Sequence, residues 1–178
     1  MKLKWTRGSR LTTNNQTFAI GYRPETLLYQ VAAVCYRRKA GKLQFLLVST
    51  SGGKWTFPKG CIDHGVSERE TAAREAMEEA GALGRIEPQH FDSYLHLKRL
   101  PGLRGYEVAV KAYLMEVIDT LAPQKNFRKP TWYSAEEARR KVGKNRETIY
   151  ADEMRRVLDR AAELIGEQIS VEERSGKG

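Results

Sequence analysis

Apolar residues change period several times along the chain, and each change predicts an element. The run LLYQVAAVCYR at 27–37 is almost continuously apolar and rich in β-branched and aromatic residues, which predicts a buried strand. RKAGK turns the chain at Gly41, and LQFLLVST at 43–50 returns, so the two runs predict a hairpin. SGG breaks the pattern, and residues 55–57 form a short strand ended by Pro58. Ser67 and Glu70 spell a capping box that opens a helix closed by Gly81, with Ala72, Ala73, Ala76, Met77 and Ala80 as its small apolar side. FDSYLHLKRL at 91–100 predicts a strand, PGLRG a turn, and YEVAVKAYLMEVI at 106–118 a long strand in which Val108, Val110, Ala112 and Leu114 alternate. KPTWYSAEEARRKV at 129–142 predicts a strand end that runs into a helix capped by Ser134, with Glu137 at the third position. From 146 to 169, Ile149, Met154, Val157, Leu158, Ala161, Leu164 and Ile165 recur at helical spacing.

Length and composition add a domain count. At 178 residues, 40% hydrophobic and 30% charged, the chain predicts one soluble globular domain. We divide it into a basic N-terminal arm at 1–25, a single domain at 26–170 and a disordered tail at 171–178. No apolar run approaches the roughly 20 residues a membrane helix needs, and the N-terminus lacks the apolar core of a secretory signal. Cys35 and Cys61 are too few for a disulfide framework, and no CxxC pair offers a zinc site, which predicts a reducing, cytoplasmic location.

Charge points to a polyanionic partner. The formal net charge is +9, and the first fifty residues hold nine Lys or Arg against the single acid Glu25. A second basic stretch runs through Lys98, Arg99, Arg104, Lys111, Lys125, Arg128 and Lys129. Nucleic acid, a phosphorylated small molecule or an acidic membrane would suit this balance, and plain solubility accounts for any one lysine. The lack of an aromatic-basic or helix-turn-helix signature argues against nucleic acid. Against this background, Glu68, Glu70, Glu75, Glu78 and Glu79 crowd one short run. Helical positions three and four apart are neighbours, so Glu75, Glu78 and Glu79 project together and repel one another. A divalent cation with a preference for oxygen ligands removes that repulsion. The alternative is a solvated acidic face partly neutralised by Arg74.

Residues 60–82 resemble the Nudix box, G-x5-E-x7-R-E-U-x-E-E-x-G-U with U aliphatic. Gly60, Arg74, Glu75, Ala76, Glu78, Glu79, Gly81 and Ala82 stand at its fixed positions. The resemblance implies an α+β fold, an α/β/α sandwich with a mixed sheet and a loop–helix–loop box, that binds Mg²⁺ or Mn²⁺ and hydrolyses a phosphoanhydride. It implies Gly60, Glu75, Glu78 and Glu79 as metal ligands, and Arg74, Glu75 and Glu78 as catalytic, with Arg74 orienting the glutamates. The proton-accepting carboxylate stays open between Glu78 and an acid outside the box. The pattern's first glutamate is replaced by Val66, with Glu70, Glu68 and Asp63 close by in sequence. QVAAVCYR, FLLVSTSGGKWTFPKG and FRKPTWYSAEEA extend the resemblance to the branch that hydrolyses diphosphoinositol and diadenosine polyphosphates. Arg37, Lys54, Lys59, Lys98, Arg104, Arg128 and Lys129 are then the expected substrate-binding cations, Lys59 foremost. His64 reads as a loop residue, His90 and His96 have no cluster to join, and Trp132 and Tyr133 read as core or rim. Two further readings carry over: a Nudix scaffold that binds a polyphosphorylated ligand with weak or no turnover, and a hydrolase of another nucleoside diphosphate derivative.

Overall fold

The computed structural model describes residues 10–13, 16–19, 29–98 and 106–175. Strands β1 (Arg10–Thr13) and β2 (Gln16–Ala19) pair antiparallel as a separate ladder within the basic arm. The remaining strands are β3 (Tyr29–Lys39), β4 (Lys42–Ser49), β5 (Trp55–Thr56), β6 (Lys59–Cys61), β7 (Ala82–Ile86), β8 (Asp92–Lys98), β9 (Tyr106–Thr120) and β10 (Thr131–Ser134). They form one sheet of order β10-β4-β3-β9-β7, with β5 on β4, β6 on β3 and β8 on β9. The central β3–β9 pair is parallel and the other pairings are antiparallel, so the sheet is mixed.

The helices are α1 (Glu68–Ala80), α2 (Ala135–Gly143) and α3 (Thr148–Ser175). They cover both faces of the sheet, and the period-two alternation decides which strand residues each face takes. Ala32, Val34, Tyr36, Phe45, Leu47, Val110, Ala112 and Leu114 pack with Ala138 and Val142 of α2 and with Met154, Val157, Leu158, Ala161 and Ile165 of α3. Val31, Ala33, Cys35, Leu46, Val48, Tyr113 and Met115 pack with Ala72, Ala76 and Ala80 of α1. A strand buried on both faces needs apolar residues at every position, which is why the 27–37 run lacks polar alternation. The α/β/α sandwich agrees with the sequence expectation. No described helix is long and apolar enough to cross a membrane.

Two features place the box. β4 pairs with β3 only through residues 36–39 of β3, and β6 pairs with the other half, Gly60 opposite Val31 and Lys59 opposite Ala32. Cross-strand partners share a face, so Gly60 lies on the α1 side of the sheet and Lys59 on the α2–α3 side. α1 is fastened at both ends. The Ser67 hydroxyl accepts from Glu70 N–H while the Glu70 carboxylate accepts from Ser67 N–H at 3.1 Å. Gly81 adopts φ 65° and donates to Met77 O, and its own carbonyl accepts from Leu121 N–H at 2.8 Å. That last bond draws the segment after β9 alongside the helix.

Several expectations change. β7 was not anticipated: Leu83, Gly84 and Arg85 are exposed, so it is made by backbone pairing with β9 rather than by an apolar pattern. β6 was not anticipated either, because three residues carry no periodic signal. Ile149, read as part of the apolar stripe of α3, is exposed. α3 continues through Ser175, so residues 171–175 are helical rather than disordered; its earlier apolar stripe is already docked and nothing breaks the helix. The PGLRG turn, Arg104, the end of the 91–100 strand and residues 176–178 lie outside the described residues.

Candidate active site

The glutamates at 75 and 79, one turn apart on α1, do not stand on an open face. Glu79 is 1% exposed and Glu75 is 8% exposed. Gly60 explains how Glu75 fits: a Cβ at that glycine would lie 2.0 Å from Glu75 Oε1, so only glycine lets the loop backbone lie against the carboxylate. Lys59 N–H donates to Glu79 Oε2 at 3.2 Å. The opposite wall is the segment after β9, with a 3₁₀ turn at Asn126–Arg128. Lys125 Nζ lies 3.1 Å from Glu75 Oε2, 3.1 Å from Glu78 Oε2 and 3.8 Å from Glu79 Oε1. Arg128 pairs with Glu79 Oε1 through Nη2. Burial raises the Glu79 carboxyl above the usual carboxylate range, while Arg128 and Lys59 pull it down. The wall is pinned by backbone: Lys125 N–H donates to Glu78 O at 3.0 Å, and Ser49 Oγ donates to Arg128 O at 2.9 Å.

Arg74 was expected to orient the glutamates through an ion pair. Its guanidinium lies 2.8 Å from Asp63 Oδ2 and 3.7 Å from Glu78 Oε1, so Asp63 is its near partner. Glu70, the nearest alternative in sequence, is spent on the Ser67 cap, its carboxylate accepting from Ser67 Oγ at 2.6 Å. Glu68 is tied to Lys111 at 2.6 Å and to the Tyr113 hydroxyl at 2.9 Å. The acid paired with Arg74 thus stands three residues before Val66, in the loop whose turn is closed by Val66 N–H donating to Asp63 O.

A cavity lies on the α2–α3 side of the sheet, near Lys59. Lys54, His96, Leu97, Asn145, Arg146, Glu147 and Tyr150 line about 380 Å³. Burial, with some relief from Glu79, brings the Lys59 ammonium down to about 8. Burial and the nearby Lys59, Arg146, Lys54 and Lys98 bring His96 down to about 3, so the ring is neutral at physiological pH. Burial also lowers the pKa of Arg146. Arg146 Nη1 donates to Val142 O at 2.8 Å, and its buried Nη2 has no hydrogen-bond partner among the described residues. A desolvated guanidinium with an unused donor is suited to an anion.

Of the seven expected substrate cations, Lys54, Lys59 and Lys98 come together around His96, and Arg128 joins the acidic cluster instead. Arg37 is elsewhere: it donates to Gln44 at 2.9 Å and stacks 4.0 Å above the Trp132 ring, five residues along β3 from the Lys59 register, or about 17 Å. Lys129 is exposed, in a left-handed backbone conformation, and no described contact ties its side chain to the cluster. Sequence reasoning missed Arg146 and Lys125 as site residues and left His96 alone. Arg146 and His96 carry no local motif, and Lys125 shows itself only through pairs spanning about fifty residues. Trp132 and Tyr133 pack at the edges of the two cores, as expected.

The carboxylates can be tested as a metal site on this geometry. As they stand, no three His, Cys, Asp or Glu side chains among the described residues are placed to hold a metal. They nevertheless converge on one point, marked by the Lys125 ammonium, and offer an all-oxygen donor set of the kind hard divalent cations take. The donor type suits such a cation, while in the present arrangement cationic side chains hold the lone pairs.

Comparison with known proteins adds an independent finding. The family model of the NUDIX domain matches residues 28–152. A Caenorhabditis elegans bis(5'-nucleosyl)-tetraphosphatase (asymmetrical) is 49% identical over 49 residues, a match that spans 26% of this chain and 36% of that protein. The crystal structure of C. elegans Ap4A hydrolase superposes with a TM-score of 0.62 at 25% identity, covering 79% of this chain and 99% of that one. The NUDIX domain of Shewanella oneidensis NrtR, solved with ADP ribose, superposes with a TM-score of 0.60 at 20% identity, covering 82% and 94%, and shares the fold.

Proposed function

The chain belongs to the NUDIX domain family, and on that premise we propose that it is a Mg²⁺- or Mn²⁺-dependent hydrolase of a phosphoanhydride bond in a polyphosphorylated small molecule. The supporting observation is the convergence of three carboxylates, Glu79 bonded by Lys59 N–H, with the buried cations Lys59 and Arg146 nearby. Glu75, Glu78, Glu79 and the Gly60 carbonyl are the residues to hold the metal, which supplies charge neutralisation and Lewis-acid polarisation of the phosphate chain. Glu78 is the most exposed of the three glutamates and takes the proton of the attacking water. Arg74, braced by Asp63, holds Glu78 in place. Lys54, Lys59, Lys98 and Arg146 receive the phosphates, Arg146 through its unused donor.

The substrate class we favour is a diadenosine polyphosphate, in keeping with the activity named for the C. elegans relative. A diphosphoinositol polyphosphate is the second member of the same class, since both present clustered phosphates to a basic cavity. We place the reaction in the cytoplasm, where Cys35 and Cys61 would remain the free thiols they are in the structure. A substrate panel tests the reading, with product analysis with and without Mg²⁺ and Mn²⁺. Diadenosine tetraphosphate should be cleaved only with metal. Faster cleavage of ADP-ribose would overturn the substrate class, and tight binding without turnover would leave a binding module.

A further inference from the structure

We propose that Lys125 is a tethered counter-ion, occupying the carboxylate cluster until a divalent cation displaces it and then turning its ammonium to the substrate's phosphates. The proposal rests on the reading of Glu75, Glu78 and Glu79 as the metal ligands.

One ammonium within 3.1, 3.1 and 3.8 Å of three separate glutamates takes the oxygens that a divalent ion would need. Mg²⁺ binds oxygen at about 2.0–2.1 Å in a demanding octahedron, so ammonium and metal cannot share these three groups. Arg128 and Lys125 differ in what holds them. Arg128 is deeply placed, with its side chain 17% exposed, and is locked to Ser49 through its carbonyl. The Lys125 side chain is 34% exposed, and the side-chain bonds described for it are those to the glutamates. A flexible four-carbon stem lets the head leave while the backbone stays. The backbone is anchored independently, by Lys125 N–H to Glu78 O at 3.0 Å and by Leu121 N–H to Gly81 O at 2.8 Å. A displaced ammonium therefore remains within one side chain's reach of the metal ligands, where the phosphates of a metal-bound substrate lie. Metal and substrate then favour each other's binding, because the substrate receives the charge that the metal expels.

The test begins without substrate. Mn²⁺ binding to the whole protein is measured by titration calorimetry for wild type, Lys125→Met and Lys125→Gln. Gln keeps a hydrogen-bond donor and guards against a folding failure in the Met variant. Lys129→Met serves as the charge control, since it removes the same charge from the same segment without touching the cluster. Both Lys125 variants should bind Mn²⁺ about tenfold more tightly, a gain of about 1.4 kcal/mol. The control should change by no more than about twofold, because an exposed charge is screened. With metal saturating, affinity for a methylene-bridged diadenosine tetraphosphate should fall about tenfold in the Lys125 variants, the loss of one charged contact. Unchanged or weaker Mn²⁺ binding in both variants would overturn the counter-ion and leave the hydrolase reading standing. Unchanged analogue affinity would overturn the second role. No Mn²⁺ binding by any of the proteins would overturn both the inference and the metal-site reading beneath it.

Discussion

At the residue scale, we expect Asp63, 2.8 Å from Arg74, to stand in for the box glutamate that Val66 replaces. Asp63→Asn should raise the Mg²⁺ concentration for half-maximal rate several-fold, because Arg74 loses its brace and Glu78 its orientation. Glu70→Gln should leave that concentration unchanged and lower stability at most slightly, since Gln can still close the capping box. Mg²⁺ titration of the rate, beside denaturant unfolding, separates the two. Glu79→Gln should abolish most turnover, and it should also destabilise the fold by about 1–3 kcal/mol, since it leaves the Arg128 guanidinium with a weakened buried partner. Wild-type rates in this variant would remove Glu79 from the metal ligands. The box glutamates were legible in the sequence because a helix sets neighbours at fixed spacing. Their burial was not, because it depends on Gly60 and on a wall supplied from residues 125–128. His96 and Arg146 were silent for the same reason: the cavity exists only after β8 and the α2–α3 connection are folded together.

At the element scale, capped and strongly periodic segments were legible and backbone-driven ones were not. α1 and α2 both carry the Ser-x-x-Glu box in sequence and both form it in the structure. β7 is a strand only because β9 offers its edge, with a bulge between Leu83 and Gly84. The junction between α1 and β7 is a sensitive joint. Gly81 has φ 65°, and a Cβ there would meet Leu121 O at 1.9 Å. Gly81→Ala therefore combines left-handed strain with a backbone clash and should cost more than about 2 kcal/mol. Because the same joint positions the segment bearing Lys125 and Arg128, the variant should also lose activity at temperatures where it is still folded. Denaturant unfolding and initial rates at low temperature check both parts.

At the scale of the whole molecule, the proposed function makes the basic surplus and the acidic cluster two halves of one design, a cavity for anions near a site for cations. His96 gives this arrangement a pH dependence. Its folded pKa of about 3 lies below the ordinary 6.5, so the unfolded chain binds a proton that the native state refuses. Stability should thus be unaffected above pH 6.5 and fall as pH drops from 6.5 toward 3, by at most about 1.4 kcal/mol per pH unit from this group. Replacing the ring by His96→Leu should flatten that part of the pH–stability curve. An unaltered curve would mean that the ring is already free to charge in the folded protein. The parallel β3–β9 pair at the centre of the sheet has a consequence for how the molecule comes to exist. Tyr29 meets Ala109 and Tyr36 meets Glu116, so the innermost ladder joins segments about eighty residues apart. Closing so long a loop costs entropy before any of its contacts can form, and such non-local pairings slow folding. During synthesis β3 must wait for β9 to complete its ladder and for α2 and α3 to cover the face that α1 does not. The nascent chain is therefore most exposed to aggregation in that interval, and the cavity lined by His96 and Arg146 forms only when the second half of the chain arrives.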